Sequence, residues 1–436
     1  MTVQTPVLLA STSKSLTAIA VMQQVEAGRL RLDEPVQTYL PWFTLDDPRS
    51  SSITVRHLLT QTSGMASRET AFEASRAQDP AALEEGVRAL ATSPLAGNPG
   101  GSFHYASVNY NILGLLVQTV SGQPFGSYLQ EHVFGPLEMT HSHPTQAAAR
   151  ADNAADGYSR WFGSFWHPTD VPVPAAGMPS STMFASAEDL GHELIALLDG
   201  GRYGSARILR PASVAAMFEP RVEVDGSKHY AMGWFVRPLV ESADPDAPSV
   251  PEEALPVLLE HQGEWGNSHT YLGVVPSSGL GVALVINAND AAAPSRLKAI
   301  DTNVLRILHG QSPVPAVAQE DWLQRYSWAV ALGLLLAELL SLWLGLRLLL
   351  DRRPGQSRRV VLAYGVAALA LDAFVLWLCL AYAPARFDTH LAVVVRQFPD
   401  VGIWLVPALA FAIAWPAPRT VWLLARLRAA SVGGRH

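Results

Sequence analysis

Three apolar runs near the C-terminus constrain this 436-residue chain more than any other feature of it. Positions 327–350, 360–382 and 401–424 each hold 23 or 24 residues, enough to cross about 30 Å of hydrocarbon as a helix. The loop after the first run, DRRPGQSRR, carries four Arg, and Arg419, Arg426, Arg428 and Arg435 mark the C-terminal end. Between the second and third runs, Arg386 and Arg396 are balanced by Asp388 and Asp400. The positive-inside rule therefore places the first loop and the C-terminus in the cytoplasm and the residues before position 327 outside it. Charge divides the same way: residues 1–320 carry a net −13 and residues 321–436 a net +6. The basic excess is confined to the apolar tail, which argues against a nucleic-acid partner and for a lipid bilayer. A single cysteine, Cys379, excludes an intrachain disulfide, and without a His/Cys cluster no metal site or cofactor is expected.

Ahead of that tail, Ser11-Thr12-Ser13-Lys14 opens a mostly apolar segment predicted as a helix to about Ala27, stopped by Gly28. A spacing of three puts Ser11 and Lys14 on one side of a helix, one turn apart. A serine hydroxyl is a poor nucleophile until a base or cation stands beside it, and the positive end of a helix dipole helps further. Only three lysines occur among 31 basic side chains, Lys14, Lys228 and Lys298. Choosing Lys at position 14 favours a small ammonium that can lose its proton.

The rest of the chain reads as alternating helices and strands. ITVRHLLTQTSGM (53–65) predicts a short helix, and residues 66–100, small, charged and punctuated by Pro and Gly, predict a surface excursion. FHYASVNYNILGLLVQTVSG predicts a helix from about Asn109 to Gly122, and SAEDLGHELIALLDGG another, capped by Ser186. YAMGWFVRPL (230–239) reads as one strand, TYLGVVPSSGLGVALVINAN (270–289) as a hairpin, and SRLKAIDTNVLRILHG (295–310) as a helix against it. The domain boundaries that follow are 1–310, a linker at 311–326, and 327–436 for the membrane domain.

Three separated pieces recur in a recognisable order: Ser11-Thr12-Ser13-Lys14, Tyr105-Ala106-Ser107, and His261-Gln262-Gly263. Taken singly, Tyr105 is a half-buried tyrosine and His261 a strand-edge histidine. Together with HLLTQTSGM, PLEMTHS and SAEDL, over roughly residues 5–310, they make the chain resemble the serine β-lactamase-related family, which includes class C β-lactamases, penicillin-binding proteins, D-aminopeptidases and esterases. The resemblance implies an α+β fold, an antiparallel sheet flanked by helices beside a helical subdomain, followed here by three transmembrane helices. It implies Ser11 as the acylated nucleophile, Lys14 and Tyr105 as the proton-handling pair, and an oxyanion hole from the backbone N–H groups of Ser11 and Glu264. Ser107, His261, Gln262 and Gly263 would line the cleft for a small-molecule, peptide or cell-wall substrate.

Two positions depart from the family's habit. Ser107 stands where Asn is usual, and His261 stands where a permanently charged Lys is common; His carries a full charge only at acidic pH. An ester, or an amide without a neighbouring carboxylate, therefore fits better than penicillin. The family's first strands and helix normally precede the serine, and MTVQTPVLLA lacks the basic and apolar regions of a signal peptide. The expectation is that the chain starts late and that the hairpin near residues 280–288 lies at an open sheet edge. The reading is a membrane-anchored, extracytoplasmic serine hydrolase. The alternatives are an inactive relative that binds a cell-wall or peptide ligand and signals or scaffolds, and a transport or assembly module built on the three helices. Glu338 and Asp372, near the middle of two runs, read as protonated or helix-bridging residues, with a proton or ion path as the other use of intramembrane acids.

Overall fold

The computed structural model describes all residues except 67–80, 172, 240–254, 291, 294, 311, 316–319, 351–357, 387–390 and 433–436. The chain divides into two compact units, Met1–Arg160 with Trp166–Gln319, and Trp161–Phe165 with Glu320–His436. Most of the expected linker thus lies between the last helix of the first unit and the first long helix of the second, and residues 311 and 316–319 fall outside the described set.

The first unit is built on a six-stranded antiparallel sheet in simple meander order. Its strands are β1 (Val222–Asp225), β2 (Lys228–Tyr230), β3 (Phe235–Pro238), β4 (Val257–Trp265), β5 (Ser268–Val275) and β6 (Leu280–Ile286). β5 is buried along its whole length, which explains a sequence apolar at successive positions rather than alternating. The segment expected as one strand at 230–239 is instead a tight β2–β3 hairpin. Its turn closes through Ala231 N–H to the Trp234 carbonyl, with Gly233 at φ 86°. A side chain at Gly233 would press on Ala18 and on the Lys14 backbone, so glycine lets the turn rest directly on the first helix.

The helices meet their predicted faces with shifted ends. A 3₁₀ turn, Ala10–Thr12, precedes α1 (Ser13–Glu26). α2 is Val108–Ser121, ended by Gly122 in the left-handed region; α3 is Ala187–Leu198, with the Ser186 hydroxyl accepting from Asp189 N–H; α4 is Ser295–Leu308. α1 and α2 carry Leu16, Ile19, Val21, Ile112, Leu113 and Leu116 into one continuous core. Part of the 66–100 excursion is ordered and packed: Ala82, Leu83 and Val87 join that core from a short helix whose Glu84 and Arg88 pair outside, and Leu90 joins it from the 3₁₀ turn that follows. Its residues 67–80 lie outside the described set. β6 pairs only with β5 among the described residues, so the edge expected near 280–288 is an edge over 280–286, whereas Tyr158 N–H bonds the Asn287 carbonyl and Tyr158 pairs in parallel with Ala288. Leu194 and Leu198 of α3 cover the edge at Gly281.

The second unit holds α5 (Ser327–Leu350), α6 (Arg358–Trp377), α7 (Pro399–Ala414) and α8 (Pro416–Val432). Three stretches, Ser327–Leu348, Arg358–Ala385 and Pro399–Ala425, are long and apolar enough to cross a membrane. The third stretch is kinked at Trp415–Pro416, where proline has no N–H to donate; Trp415 keeps helical dihedrals, and the bonds from Trp415 N–H to the Phe411 carbonyl and from Arg419 N–H to the Trp415 carbonyl carry the ladder across. Arg419, expected with the cytoplasmic end, is buried and ion-paired to Asp372, so it bridges α8 and α6. Asp372 is thereby a helix-bridging residue, and Glu338 lies fully buried in the same unit.

Candidate active site

The turn that presents Ser11 is held from three sides. Ala10, fully buried, is forced to φ 49°, a conformation a non-glycine residue adopts only when its surroundings over-determine it. Upstream, Val7–Leu8 pair with Phe184–Ala185 and Leu9 N–H bonds the Met183 carbonyl. On the sheet side, the Thr270 hydroxyl of β5 donates to the Leu9 carbonyl at 2.5 Å, and Thr12 Oγ1 lies 2.9 Å from Thr270 Oγ1. Gly263 of β4 has to be glycine, because a Cβ there would land on the Leu9 carbonyl oxygen and on Thr270 Oγ1. The third sequence motif therefore touches the first through its glycine and the neighbouring threonine.

One turn on, the Lys14 ammonium is buried and reaches Ser11 Oγ at 3.1 Å, Ser107 Oγ at 3.1 Å and the Ser180 carbonyl at 2.9 Å. It also lies 4.9 Å from the centre of the Tyr105 ring. Tyr105 and Ser107 are placed by the entry to α2, which is braced by the HLLTQTSGM segment. Gln61, itself at φ 58°, accepts through Oε1 from Ala106 N–H (3.0 Å) and Asn109 Nδ2 (2.6 Å). The Ser63 hydroxyl donates to Asn109 Oδ1 at 2.7 Å. That motif carries no reacting group; it positions the one that follows.

Strand alternation separates the members of His261-Gln262-Gly263-Glu264. His261 faces the Tyr105 ring, 6.1 Å away between centres, while Nδ1 donates to the Gln262 carbonyl at 2.8 Å and Nε2 lies 3.5 Å from the Tyr230 hydroxyl. Burial, then the charges of Lys14 and Lys228, push the imidazole pKa down to about 3 against the opposing carbonyl bond. His261 is therefore neutral throughout the acidic range in which a histidine is expected to charge. Gln262 does not line the cleft as expected: its side chain points the other way and donates to Asp301 of α4 at 3.1 Å. Asp301 also holds the buried His269 ring at 3.0 Å. The Glu264 side chain turns to Lys298 at 3.1 Å, leaving only its backbone for the site.

A family model described as Beta-lactamase matches residues 1–303. The chain belongs to the Beta-lactamase family. Among curated relatives, Protein flp of Staphylococcus aureus (strain MW2) is 27% identical over 300 residues, covering 68% of this chain and 56% of that protein. The chain thus spans little more than half the length of that relative. The octameric penicillin-binding protein homologue from Pyrococcus abyssi superposes with a TM-score of 0.59 at 24% identity, covering 72% of this chain and 68% of that one. A class C beta-lactamase gives 0.57 at 19% identity, covering 72% and 84%. Both share the β-lactamase/transpeptidase-like fold, with its antiparallel sheet and flanking helices.

Several residues at the candidate site carry no signal of their own in the sequence. Ser180 contributes a carbonyl, which any residue could supply. Thr270 is one apolar-run threonine among many, legible only once β5 lies beside the Ser11 turn. Phe103 stands two residues before Tyr105, while Tyr230 and Phe235, read in the sequence as one strand, lie on the two arms of the β2–β3 hairpin, which brings their rings beside Tyr105 and His261.

Proposed function

We propose that this chain is a membrane-anchored serine hydrolase that cleaves an ester or amide through an acyl-enzyme, as an esterase, a D-amino-acid peptidase or a β-lactamase-like enzyme. The observation that carries the reading is the buried Lys14 ammonium bridging Ser11 Oγ and Ser107 Oγ, both at 3.1 Å. Ser11 Oγ attacks the substrate carbonyl carbon while its proton passes to the Lys14–Tyr105 pair. The backbone N–H groups of Ser11 and Glu264 take the developing negative charge. As the carbonyl re-forms, the leaving group departs with that proton, and water repeats the sequence on the acyl-enzyme to release the acid. Ser107 offers one hydroxyl in place of the usual amide, and it serves here to hold Lys14 in line. With His261 neutral, the third motif supplies no cation, which favours esters over β-lactams.

The apolar C-terminal helices anchor the enzyme, and their flanking Arg residues favour a cytoplasmic C-terminus with the hydrolase outside. The small-molecule, peptide or cell-wall substrate would then be met at the outer membrane face. Pre-steady-state hydrolysis of a p-nitrophenyl ester tests the chemistry: a burst of nitrophenolate equal to the active sites marks an acyl-enzyme. Turnover of nitrocefin faster than any simple ester at neutral pH would overturn the preference.

A further inference from the structure

Five rings form one aromatic wall at the candidate site: Phe103, Tyr105, Tyr230, Phe235 and His261. Tyr230 and Phe235 are 4.8 Å apart between centres, Phe235 and His261 5.3 Å, and Tyr105 stacks parallel to Phe235 at 6.4 Å. On this wall rests one of the chain's three lysines. Lys228 Nζ lies 4.2 Å from the centre of the Phe235 ring, at the start of β2. The side chain is half-buried, and burial holds its pKa below the usual lysine value.

Two carboxylates, Glu260 and Asp225, lie close enough to favour the charge of Lys228, but neither bonds to it among the described residues. Glu260 is held by Arg237 at 2.7 and 3.2 Å and by the Tyr271 hydroxyl at 3.1 Å. Asp225, its cross-strand partner in register, makes no ion pair with it, nor does any other carboxylate among the described residues. Lys298 and Arg237 only add positive charge, and Lys298 is itself paired with Glu264. A partly desolvated ammonium with an aromatic ring beneath it and no carboxylate bonded to it is an anion receptor: an arriving carboxylate gains a charge-assisted bond that solvent no longer supplies as well.

We propose that Lys228 is a specificity residue that receives an anionic group of the substrate, so that the preferred substrates are esters bearing a carboxylate beside an apolar or aromatic segment. This rests on the reading of Ser11 as the nucleophile. The partly exposed rings of the wall, Phe103, Tyr105 and Phe235, pack the apolar segment, and Lys228 meets the anion there instead of at the third motif, where His261 is neutral.

The experiment uses the full chain in detergent with two p-nitrophenyl esters of equal length. One is the neutral hexanoate and the other the monoester of a six-carbon dicarboxylic acid. Labelling by a neutral fluorophosphonate is measured in parallel, and it reports on Ser11 alone. Lys228→Met should lower the ratio of kcat/KM for the anionic ester over that for the neutral one about tenfold, through KM, as expected for loss of one hydrogen bond to a charged group. Lys228→Arg should recover the ratio, and raising the salt concentration should narrow it in the wild type only. An unchanged ratio in Lys228→Met with labelling intact would overturn the proposal and leave the nucleophile standing. An equal loss on both esters that Arg does not restore would overturn it as well, by giving Lys228 a structural role. Failure of the wild type to label would remove the nucleophile reading and this proposal with it.

Discussion

Glu193, on α3, is fully buried, and neither carboxylate oxygen has a hydrogen-bond partner among the described residues. Burial pushes its pKa from 4.5 up to about 8, with Ser15 of α1 the polar neighbour that opposes the shift. The folded state therefore binds a proton more tightly than the unfolded chain between about pH 4.5 and 8, and stability falls as the pH rises through that window, levelling above it. At 1.36 kcal/mol per pKa unit the gap corresponds to about 5 kcal/mol, an upper figure because local opening would let water relieve part of it. Glu193→Gln mimics the neutral acid in shape and cannot ionise. Denaturation of the detergent-solubilised protein, followed from pH 5 to 9, should show variant and wild type matching near pH 5, with the variant more stable by several kcal/mol at pH 9. Because Ser15 lies one turn beyond Ser11, the wild type should also lose activity reversibly above about pH 8 while the variant does not. A stability difference independent of pH would refute the buried, neutral assignment.

Thr270→Val keeps the shape of the side chain but removes the hydroxyl that pins the Leu9–Ser11 turn. It should destabilise by about 1–2 kcal/mol and lower kcat far more than it changes KM, with Thr270→Ser restoring both; equal kcat in Val and wild type would contradict the pin. His261, neutral down to about pH 3, should give the rate profile no limb between pH 5 and 8, and a limb near 6.5 that vanishes in His261→Gln would contradict its burial. Against a Cys379→Ser background, a cysteine at Gly355 should be shielded from an impermeant thiol reagent in intact cells and one at Ala318 should react. The reverse pattern would place the hydrolase in the cytoplasm.

Features set by short spacing are legible in the amino-acid sequence itself. Ser11 and Lys14 meet because three residues make one helical turn, and the long apolar runs need no partner to be recognised. What the sequence hides depends on what the chain meets in space. The 230–239 stretch resembles one strand because its hairpin turn, Met232-Gly233, is shaped by contact with α1 and not by a conspicuous turn sequence. Adjacency to His261 suggests the cleft for Gln262, although neighbouring strand residues face opposite sides and its partner Asp301 is 39 residues away. Arg419 reads as one of the surface arginines because nothing local announces its pairing with Asp372 on another helix. Lys228 and Phe235 have no motif; the β2–β3 hairpin joins them.

Activation of Ser11 is tested most directly by locating the residue that a fluorophosphonate modifies. The full chain is treated with the reagent and digested, and the adduct is mapped by mass spectrometry. The adduct should fall on Ser11 alone, vanish in Ser11→Ala, and form about 10²–10⁴ times more slowly in Lys14→Ala, the usual worth of a positioned acid–base group. An adduct on another serine, or labelling at the wild-type rate without Lys14, would contradict the assignment of Ser11 as an activated nucleophile.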